Sequence, residues 1–293
     1  MRNTITFLGT GTSSGVPMIG CRCSVCSSTD EKDKRLRASA YIEYNEFKIL
    51  IDCGPDFRQQ ILHAGISEID AILLTHQHKD HTGGLDDVRA FNFLQRSAFP
   101  VYCEPMVLES LKKEYSYAAF TVKSLNGKQH SETFLQRALY PGAPEYDIHL
   151  IEDKPFQITK IFKQHSSGKA EKRSITITPI RATHYKLPVL GFRIGDCCYI
   201  TDANFIPEEE FTKMKNLKIF VINTVRRTKH LSHYSLPEAL AVVRKVGAYQ
   251  SFITHLSHQM ADDEKHIKGT HRDLLNEMPE GVQPAYDGLI VEF

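Results

Sequence analysis

The chain has 293 residues, of which 41% are apolar and 24% are charged, and its formal net charge is +1. This balance is typical of a globular protein with a substantial core, and it argues against general attraction to nucleic acid or to anionic lipid. The N-terminus has no signal-peptide core and no segment approaches transmembrane length, so we expect a cytoplasmic protein without a membrane partner. Seven cysteines in that compartment favour metal binding or packing over disulfides.

Apolar periodicity and turn residues predict the elements of the first half in chain order. The pattern predicts a strand at "TITFLGTG", a hairpin at "SAYIEYNEFKILIDCG" turning at Asn45 and Glu46, a helix at "FRQQILHAGI" and a buried strand at "DAILLT". Amphipathic spacing then predicts helices at "GGLDDVRAFNFLQR" and "PMVLESLKKEYSYAAF". A less regular, polar stretch follows from about Thr121 to Pro155 and has the character of a surface excursion.

The second half alternates strands and helices. Strands are predicted at "FQITKIF", "SITITPI", "LGFRIGD", "CYIT", "LKIFVIN", "YQSFIT" and "GLIVEF", and helices at "SLPEALAVVRKVG" and near 262–276. Early hairpins with later alternation favour a mixed sheet flanked by helices. We therefore expect one domain over 1–293, with a lid or insertion at about 117–173.

Four apolar runs end in a side chain that can bind a metal. His76 follows "AILLT", His184 follows "SITITPIRAT", Asp202 follows "CCYIT" and His255 follows "QSFIT". Ligands at the carboxyl ends of strands tend to meet on one rim of a sheet, where α/β proteins usually bind their ligands. Imidazole nitrogens and carboxylate oxygens suit borderline metals such as zinc and manganese.

The densest cluster is "LLTHQHKDHTGG", which places His76, His78, Asp80 and His81 within six positions. His-x-His brings two imidazoles close together, and the next two ligands follow after a bend and can face a second ion. These are too many ligands for one tetrahedral centre. The pattern favours two ions with Asp202 between them.

This arrangement resembles the metallo-β-lactamase superfamily, which carries His-x-His-x-Asp-His and then His, Asp and His in that order. The resemblance implies an α/β (α+β) fold, a four-layer αβ/βα sandwich with a dinuclear site between its sheets. It implies one ion on His76, His78 and His184, and a second on Asp80, His81 and His255, bridged by Asp202. The superfamily includes oxidoreductases and inactive members, so the motif alone does not fix the reaction.

A second group of metal ligands follows the first strand. In "GTGTSSGVPMIGCRCSVC", Cys21, Cys23 and Cys26 place three soft thiolates on one short turn. His258, in "THLSHQ", is our candidate for a fourth ligand that would complete a tetrahedral Cys₃His site. Three thiolates give a closed, anionic zinc centre, which indicates a structural role. Three reduced cysteines without metal are the alternative.

The cysteine motif and "ITHLSHQ" together resemble the phosphoribosyl 1,2-cyclic phosphate phosphodiesterases of the carbon–phosphorus lyase pathway. The resemblance implies the same structural zinc with His258, and it suggests His233 in "HLSHYSLPEAL" as general acid or phosphate contact, with His230 as the competing choice. Asp80 is expected at the reacting centre, and Asp52 is expected to support the histidine cluster or to cap a turn. The region from about Tyr115 to Arg173 is longer than that group needs, so the substrate wall differs.

We therefore expect a dinuclear phosphodiesterase, with zinc or manganese in the active site and one structural zinc, that uses a metal-bridging hydroxide. Its substrate would be a small sugar 1,2-cyclic or nucleoside 2′,3′-cyclic phosphate. The alternatives are an RNase Z-like endonuclease, disfavoured by the mildly basic insertion, a glyoxalase-type thioester hydrolase, and a metal-binding protein without turnover. A homodimer is compatible with the resemblance.

Overall fold

Two β-sheets form the centre of the computed structural model, which describes residues 2–124, 141–163, 170–262 and 264–293. With strands numbered in chain order, the first sheet contains β1 (Thr4–Gly9), β2 (Ser39–Tyr44), β3 (Phe47–Ile51), β4 (Ala71–Leu73), β5 (Phe99–Cys103), β6 (Ala119–Ser124), β7 (Glu145–Leu150) and β15 (Ile290–Glu292). The second contains β8 (Phe156–Lys163), β9 (Ala170–His184), β10 (Leu187–Ile194), β11 (Cys197–Tyr199), β12 (Ile219–Asn223), β13 (Gln250–Thr254) and β14 (Val282–Pro284). The spatial orders are β15-β1-β2-β3-β4-β5-β7-β6 and β14-β13-β12-β11-β10-β9-β8.

Helices cover the outer face of each sheet. They are α1 (Phe57–His63), α3 (Arg89–Gln95), α4 (Pro105–Glu114), α5 (Leu236–Val246) and α6 (His271–Glu277), whereas the short α2 (Lys79–Thr82) carries Asp80 and His81. Along β3, Ile49 and Ile51 enter the core between the sheets, whereas Leu50 packs on the side of α1 and α4. Along β12, Val221 enters the central core and Ile222 packs on the side of α5. Because strand side chains alternate between faces, the result is the four-layer αβ/βα sandwich that the resemblance implies.

Local sequence signals account for several element boundaries. The β2–β3 hairpin turns at Asn45 and Glu46, whose φ angles are 50° and 69°, as a two-residue hairpin turn requires. Helix α5 begins with a capping box between Ser235 and Glu238, and it ends at Gly247 with φ 65°. The helix predicted at "SLPEALAVVRKVG" is therefore confirmed at both ends.

Two predicted helices are shorter than expected, and the strands β5, β6, β7 and β14 were not predicted. Helix α4 ends at Glu114, so the expected continuation to Phe120 is wrong, because Phe120 lies in β6 and packs against Tyr146. The helix expected near 262–276 begins only after Thr270, whose side chain caps α6. Strand β7 lies inside the stretch predicted to be irregular. Of the lid or insertion expected at 117–173, the described residues form β6, β7, β8 and the start of β9, whereas 125–140 and 164–169 lie outside the described residues.

The topology gathers strand ends at one rim of the sandwich. Strands β3, β4 and β5 are parallel neighbours in the first sheet, and β11, β12 and β13 are parallel neighbours in the second. The side chains that follow β4 and β11 are in contact, so the carboxyl ends of both sets meet. Across the described residues, no helix combines the length and the apolar character needed to cross a bilayer.

Candidate metal centre

The site is built where strands end and the backbone turns sharply. Asp52 follows β3, Asp202 follows β11 and His255 follows β13, and their φ angles are 62°, 51° and 58°. A non-glycine residue in this left-handed region is strained, and such residues concentrate at functional sites. The chain also packs closely here, since a Cβ on Gly54 would lie 2.1 Å from the carbonyl oxygen of Asp80. This contact fixes the loop that carries the histidine motif.

One group of histidines consists of His76, His78 and His184. The ring centroids of His76 and His78 are 4.6 Å apart, those of His78 and His184 are 5.2 Å apart, and those of His76 and His184 are 5.8 Å apart. His76 is buried, whereas His78 is exposed, so this group opens to solvent. The structure therefore brings together the three histidines that the resemblance places on one ion.

A second group consists of Asp80, His81, Asp202 and His255, whose ligand atoms all lie within 4.8 Å of one another. The Nε2 atom of His81 lies 3.2 Å from Asp80 Oδ2 and 3.1 Å from Asp202 Oδ2. The Nε2 atom of His255 lies 3.2 Å from Asp202 Oδ1. These four residues surround one point at the end of both sheets.

Asp202 belongs to both neighbourhoods. Its carboxylate oxygens lie beside His81 and His255, and it also forms a group with His184 and His233 whose ligand atoms lie within 4.8 Å of one another. Burial raises the pKa of Asp202, but His255 and His81 outweigh burial and hold this pKa well below its usual range. An ionised carboxylate in this position can contact two cations at once.

The buried imidazoles meet the test for metal ligands. The Nε2 atoms of His76, His81 and His255 are buried and, within the described chain, form no aligned hydrogen bond. Buried polar atoms without partners are costly and uncommon. Burial also lowers the pKa of His76 well below its ordinary value, so its imidazole is neutral, which is the form that binds a metal. Two divalent ions among these donors would satisfy all three of these Nε2 atoms.

Asp52 supports both groups from behind. Its Oδ2 lies 2.6 Å from His81 Nδ1 and accepts a 2.9 Å hydrogen bond from the Thr75 hydroxyl. The same hydroxyl oxygen lies 2.9 Å from Nδ1 of His76, and the Thr75 backbone N–H donates to Asp52 Oδ1. A proton on Nδ1 of each histidine makes these contacts hydrogen bonds and leaves Nε2 free toward the ions. One carboxylate thus orients a histidine in each group.

Two positioning residues were not identified from the sequence. The Thr75 hydroxyl links the Asp52 carboxylate to the His76 ring by hydrogen bonds. The sequence contains only one indication of this role, a hydroxyl residue directly before the histidine motif. Asn223, at the end of β12, accepts from the Ala203 N–H at 2.8 Å and donates to the Ala203 carbonyl at 3.0 Å. These bonds fix the backbone that directly follows Asp202. Nothing in the local sequence distinguishes Asn223, because its partner comes from a neighbouring strand end.

His233 lies at the centre and His230 lies behind it. The Nε2 atom of His233 is 3.1 Å from Asp202 Oδ1, and its ring centroid is 4.5 Å from that of His184. The two Nδ1 atoms of His230 and His233 are 3.2 Å apart. Of these two candidates, His233 is the one in contact with a residue of the metal groups.

The cysteine cluster assembles across more than 230 residues of sequence. The ligand atoms of Cys21, Cys23, Cys26 and His258 all lie within 4.8 Å of one another. The Nδ1 atom of His258 is 3.4 Å from the sulfur of Cys21 and 3.5 Å from that of Cys23. Burial raises the pKa of the Cys26 thiol to about 12, so a bound cation is needed to hold it as thiolate. Three sulfurs and one imidazole nitrogen are the donor set of a structural zinc.

Comparison with known proteins places this fold and site in a family. Residues 48–256 match the family model described as the β-lactamase superfamily domain. The crystal structure of a diphosphatase from the PhnP family is 32% identical, covers 100% of this chain and 98% of its own, and superposes with a TM-score of 0.79. The chain belongs to the metallo-β-lactamase superfamily and lies close to the PhnP family within it.

Two further proteins resemble this chain, one in fold and one in sequence. Zinc-bound PqqB from Methylobacterium extorquens shares the fold, with 16% identity, a TM-score of 0.66 and coverage of 99% of this chain and 100% of its own. A protein of Porphyromonas gingivalis named octanoyltransferase is 37% identical over 285 residues, which are 96% of this chain but 50% of the relative. The chain therefore spans half the length of that relative.

Proposed function

We propose that this chain is a dinuclear metal-dependent phosphodiesterase that hydrolyses a small cyclic phosphate. The observation that carries the proposal is the position of Asp202 between two sets of histidines, in which the buried Nε2 atoms of His76, His81 and His255 form no aligned hydrogen bond with any described residue. A structural histidine cluster would satisfy these atoms with protein acceptors. Nitrogens and carboxylate oxygens that converge within 4.8 Å of one another instead support a pair of cations.

The proposed ligands are the seven residues of the two groups. His76, His78 and His184 would hold one ion, Asp80, His81 and His255 would hold the other, and Asp202 would contact both. Two zinc or manganese ions held in this way would supply a hydroxide nucleophile at neutral pH and neutralise charge on the phosphoryl oxygens. The exposed ring of His78 marks the open side from which substrate would enter.

The charge of the site favours an anionic substrate. Two divalent cations against the carboxylates of Asp80 and Asp202 and one hydroxide leave a single net positive charge. A phosphodiester matches that charge, whereas an amide or a thioester is neutral. The asymmetry supports attack at phosphorus over attack at carbon.

His233 is the proposed general acid or phosphate contact. Burial lowers its pKa, while the hydrogen bond with Asp202 opposes that effect. A phosphate bound beside the imidazole would act in the same direction as Asp202 and raise the pKa of His233, because an adjacent anion favours the charged form. Protonation of His233 would then accompany substrate binding, and the leaving alkoxide could take the proton.

A phosphoanhydride is the second candidate substrate. The solved relative that is 32% identical over the whole chain is described as a diphosphatase, and both reactions begin with hydroxide attack on phosphorus. The name octanoyltransferase describes a protein half of which lies outside the matched region. Octanoyl thioester hydrolysis is therefore a further arm of the test and is not the proposal.

The test is a side-by-side substrate panel with protein loaded with zinc or manganese. The panel contains ribose 1,2-cyclic phosphate, a nucleoside 2′,3′-cyclic phosphate, a dinucleoside diphosphate, precursor tRNA and octanoyl-thioester. We expect the cyclic phosphates to be hydrolysed with the highest kcat/KM, and Asp202→Asn to lose this activity. Tyr249→Ala, an exposed change outside the site, is the matched control. Preferred turnover of the anhydride selects the second candidate, and turnover of the thioester alone refutes attack at phosphorus.

A further inference from the structure

Three large apolar side chains are exposed beside the metal centre. Tyr185 is 49% exposed, Phe205 is 55% exposed and Leu231 is 67% exposed. Tyr185 follows the proposed ligand His184, Phe205 lies three positions after Asp202, and Leu231 lies two positions before His233. We call these three residues the rim patch. Exposed apolar groups that gather at one place usually mark a binding surface.

The rim patch is held rigidly by one amide side chain. Asn204 Oδ1 accepts a 2.8 Å hydrogen bond from the Tyr185 backbone N–H, and Asn204 Nδ2 donates to the Leu231 carbonyl at 3.2 Å. The backbone of Asn204 and Phe205 is tied to Thr183 by two hydrogen bonds. The Asn204 N–H donates to the Thr183 carbonyl, and the Thr183 N–H donates to the Phe205 carbonyl. Three separate loops are thereby fixed relative to each other. A surface fixed in this way is prepared to bind without a large ordering cost.

The patch is also fixed relative to the metal ligands. The Nδ1 atom of His184 lies 2.7 Å from the carbonyl oxygen of Ser232, which directly follows Leu231. Tyr185 takes a φ of 59°, so the chain turns sharply between the ligand and the exposed ring. A group bound on the patch would therefore remain next to a phosphate bound at the ions.

The composition of the patch favours a planar ring as its occupant. Two of its three side chains are aromatic, and base–aromatic stacking tolerates any nucleobase because every base has a π-face. Lys186 and Lys229 are exposed at its margin, and neither forms an ion pair with any residue that the structure describes. The ammonium of Lys186 lies 5.4 Å from the centroid of the Tyr185 ring. Both cations complement the phosphate of a nucleotide, whereas an acyl chain carries no charge with which they could pair.

Resting on the proposed function, we propose that the rim patch binds the nucleobase of a nucleotide whose phosphate lies at the metal pair. The inference deepens that function, because it selects nucleoside cyclic phosphates over base-free sugar cyclic phosphates. A second copy of this chain is the competing occupant of such a surface.

The kinetic test measures the ratio of kcat/KM for a nucleoside 2′,3′-cyclic phosphate to that for ribose 1,2-cyclic phosphate. Tyr185→Ala should lower this ratio by about tenfold, the lower range for loss of one base-stacking contact. Tyr185→Phe should preserve the ratio because the ring remains, and Tyr249→Ala, which removes a tyrosine 82% exposed elsewhere, should also preserve it. An unchanged ratio in Tyr185→Ala overturns the inference.

A binding measurement separates this inference from the proposed function. Calorimetry compares adenosine monophosphate with ribose 5-phosphate for the wild-type chain, Tyr185→Ala and Leu231→Ala. We expect tighter binding of the nucleotide by wild type and loss of that difference in both variants, even if no cyclic phosphate is hydrolysed. Equal binding of the two compounds by wild type overturns the inference. Sedimentation velocity tests the competing occupant, a second copy of the chain. If Tyr185→Ala dissociates a dimer and leaves the preference for the nucleotide unchanged, the rim patch is an interface between copies and the inference is overturned.

Discussion

Replacing Thr75 by valine tests how one carboxylate supports two metal groups. The substitution keeps the branched shape of the side chain but removes a buried hydroxyl that makes two contacts of 2.9 Å, one with Asp52 and one with His76. The His76 Nδ1–H then has no acceptor, and an unsatisfied buried donor costs about 1–3 kcal/mol of unfolding free energy. Loss of such a supporting partner typically lowers metal affinity by roughly 10–100-fold.

The assay for Thr75→Val has two parts. Denaturant unfolding of the metal-free protein gives the loss of stability, and competition against a chromophoric chelator gives the affinity of each ion. We expect the affinity of the His76 group for its ion to fall by more than the affinity of the His81 group, because His81 contacts Asp52 directly. Thr75→Ser keeps the hydroxyl and is the matched control. A folded Thr75→Val protein that binds both ions with wild-type affinity would refute the relay.

Three further changes test the remaining parts of the structure. His233→Ala should lower kcat by about 10²–10⁴-fold for esters with poor alkoxide leaving groups. The loss should be much smaller for bis(p-nitrophenyl) phosphate, whose leaving group needs no proton. Equal losses of kcat for the two kinds of ester would contradict the role of general acid. Cys23→Ser should remove one zinc per chain, measured by elemental analysis, and lower the Tm, because a structural zinc contributes directly to folding. Arg22→Ala, in the same turn, is the control and should do neither. An unchanged zinc content in Cys23→Ser would contradict the structural zinc site. Burial, together with nearby Arg35, lowers the pKa of His271 to about 4, so the folded chain lacks a proton that the unfolded chain binds below about pH 6.5. Stability should therefore fall as pH drops from about 6.5 to 4, by up to about 3 kcal/mol, and urea unfolding should show a flatter profile for His271→Gln; an identical profile contradicts the shift.

The rim where the proposed ligands meet could be predicted because four of them follow short apolar runs that are visible in the sequence. His76, Asp202 and His255 each end such a run, and parallel strands bring their carboxyl ends to one rim. The alternation of strands and amphipathic segments predicted a mixed sheet flanked by helices, and the resemblance to a known superfamily implied that there are two sheets. What could not be predicted is which distant side chains orient the ligands. Asn223 holds the backbone after Asp202 only because β12 lies beside β11.

Strand β7 could not be predicted either, because it also depends on contacts with residues that are distant in the sequence. Its sequence "EYDIHL" alternates polar and apolar residues, with Tyr146 and Ile148 buried and the intervening positions half-buried. It lies between β5 and β6 and is parallel to both. Parallel pairing is not local in sequence, so the polar composition of the region indicated a loop. The helix at Pro105 was likewise predicted too long, because "YSYAAF" keeps helical spacing while its last residues pair in a sheet.

The central claim is that seven side chains hold two cations with Asp202 between them. The most direct measurement is anomalous X-ray scattering from crystals of the chain grown with zinc. We predict two peaks on opposite sides of the Asp202 carboxylate, one against His184 and one against His255, and a third among Cys21, Cys23 and Cys26. A single peak, or peaks outside bonding distance of Asp202, would contradict the account.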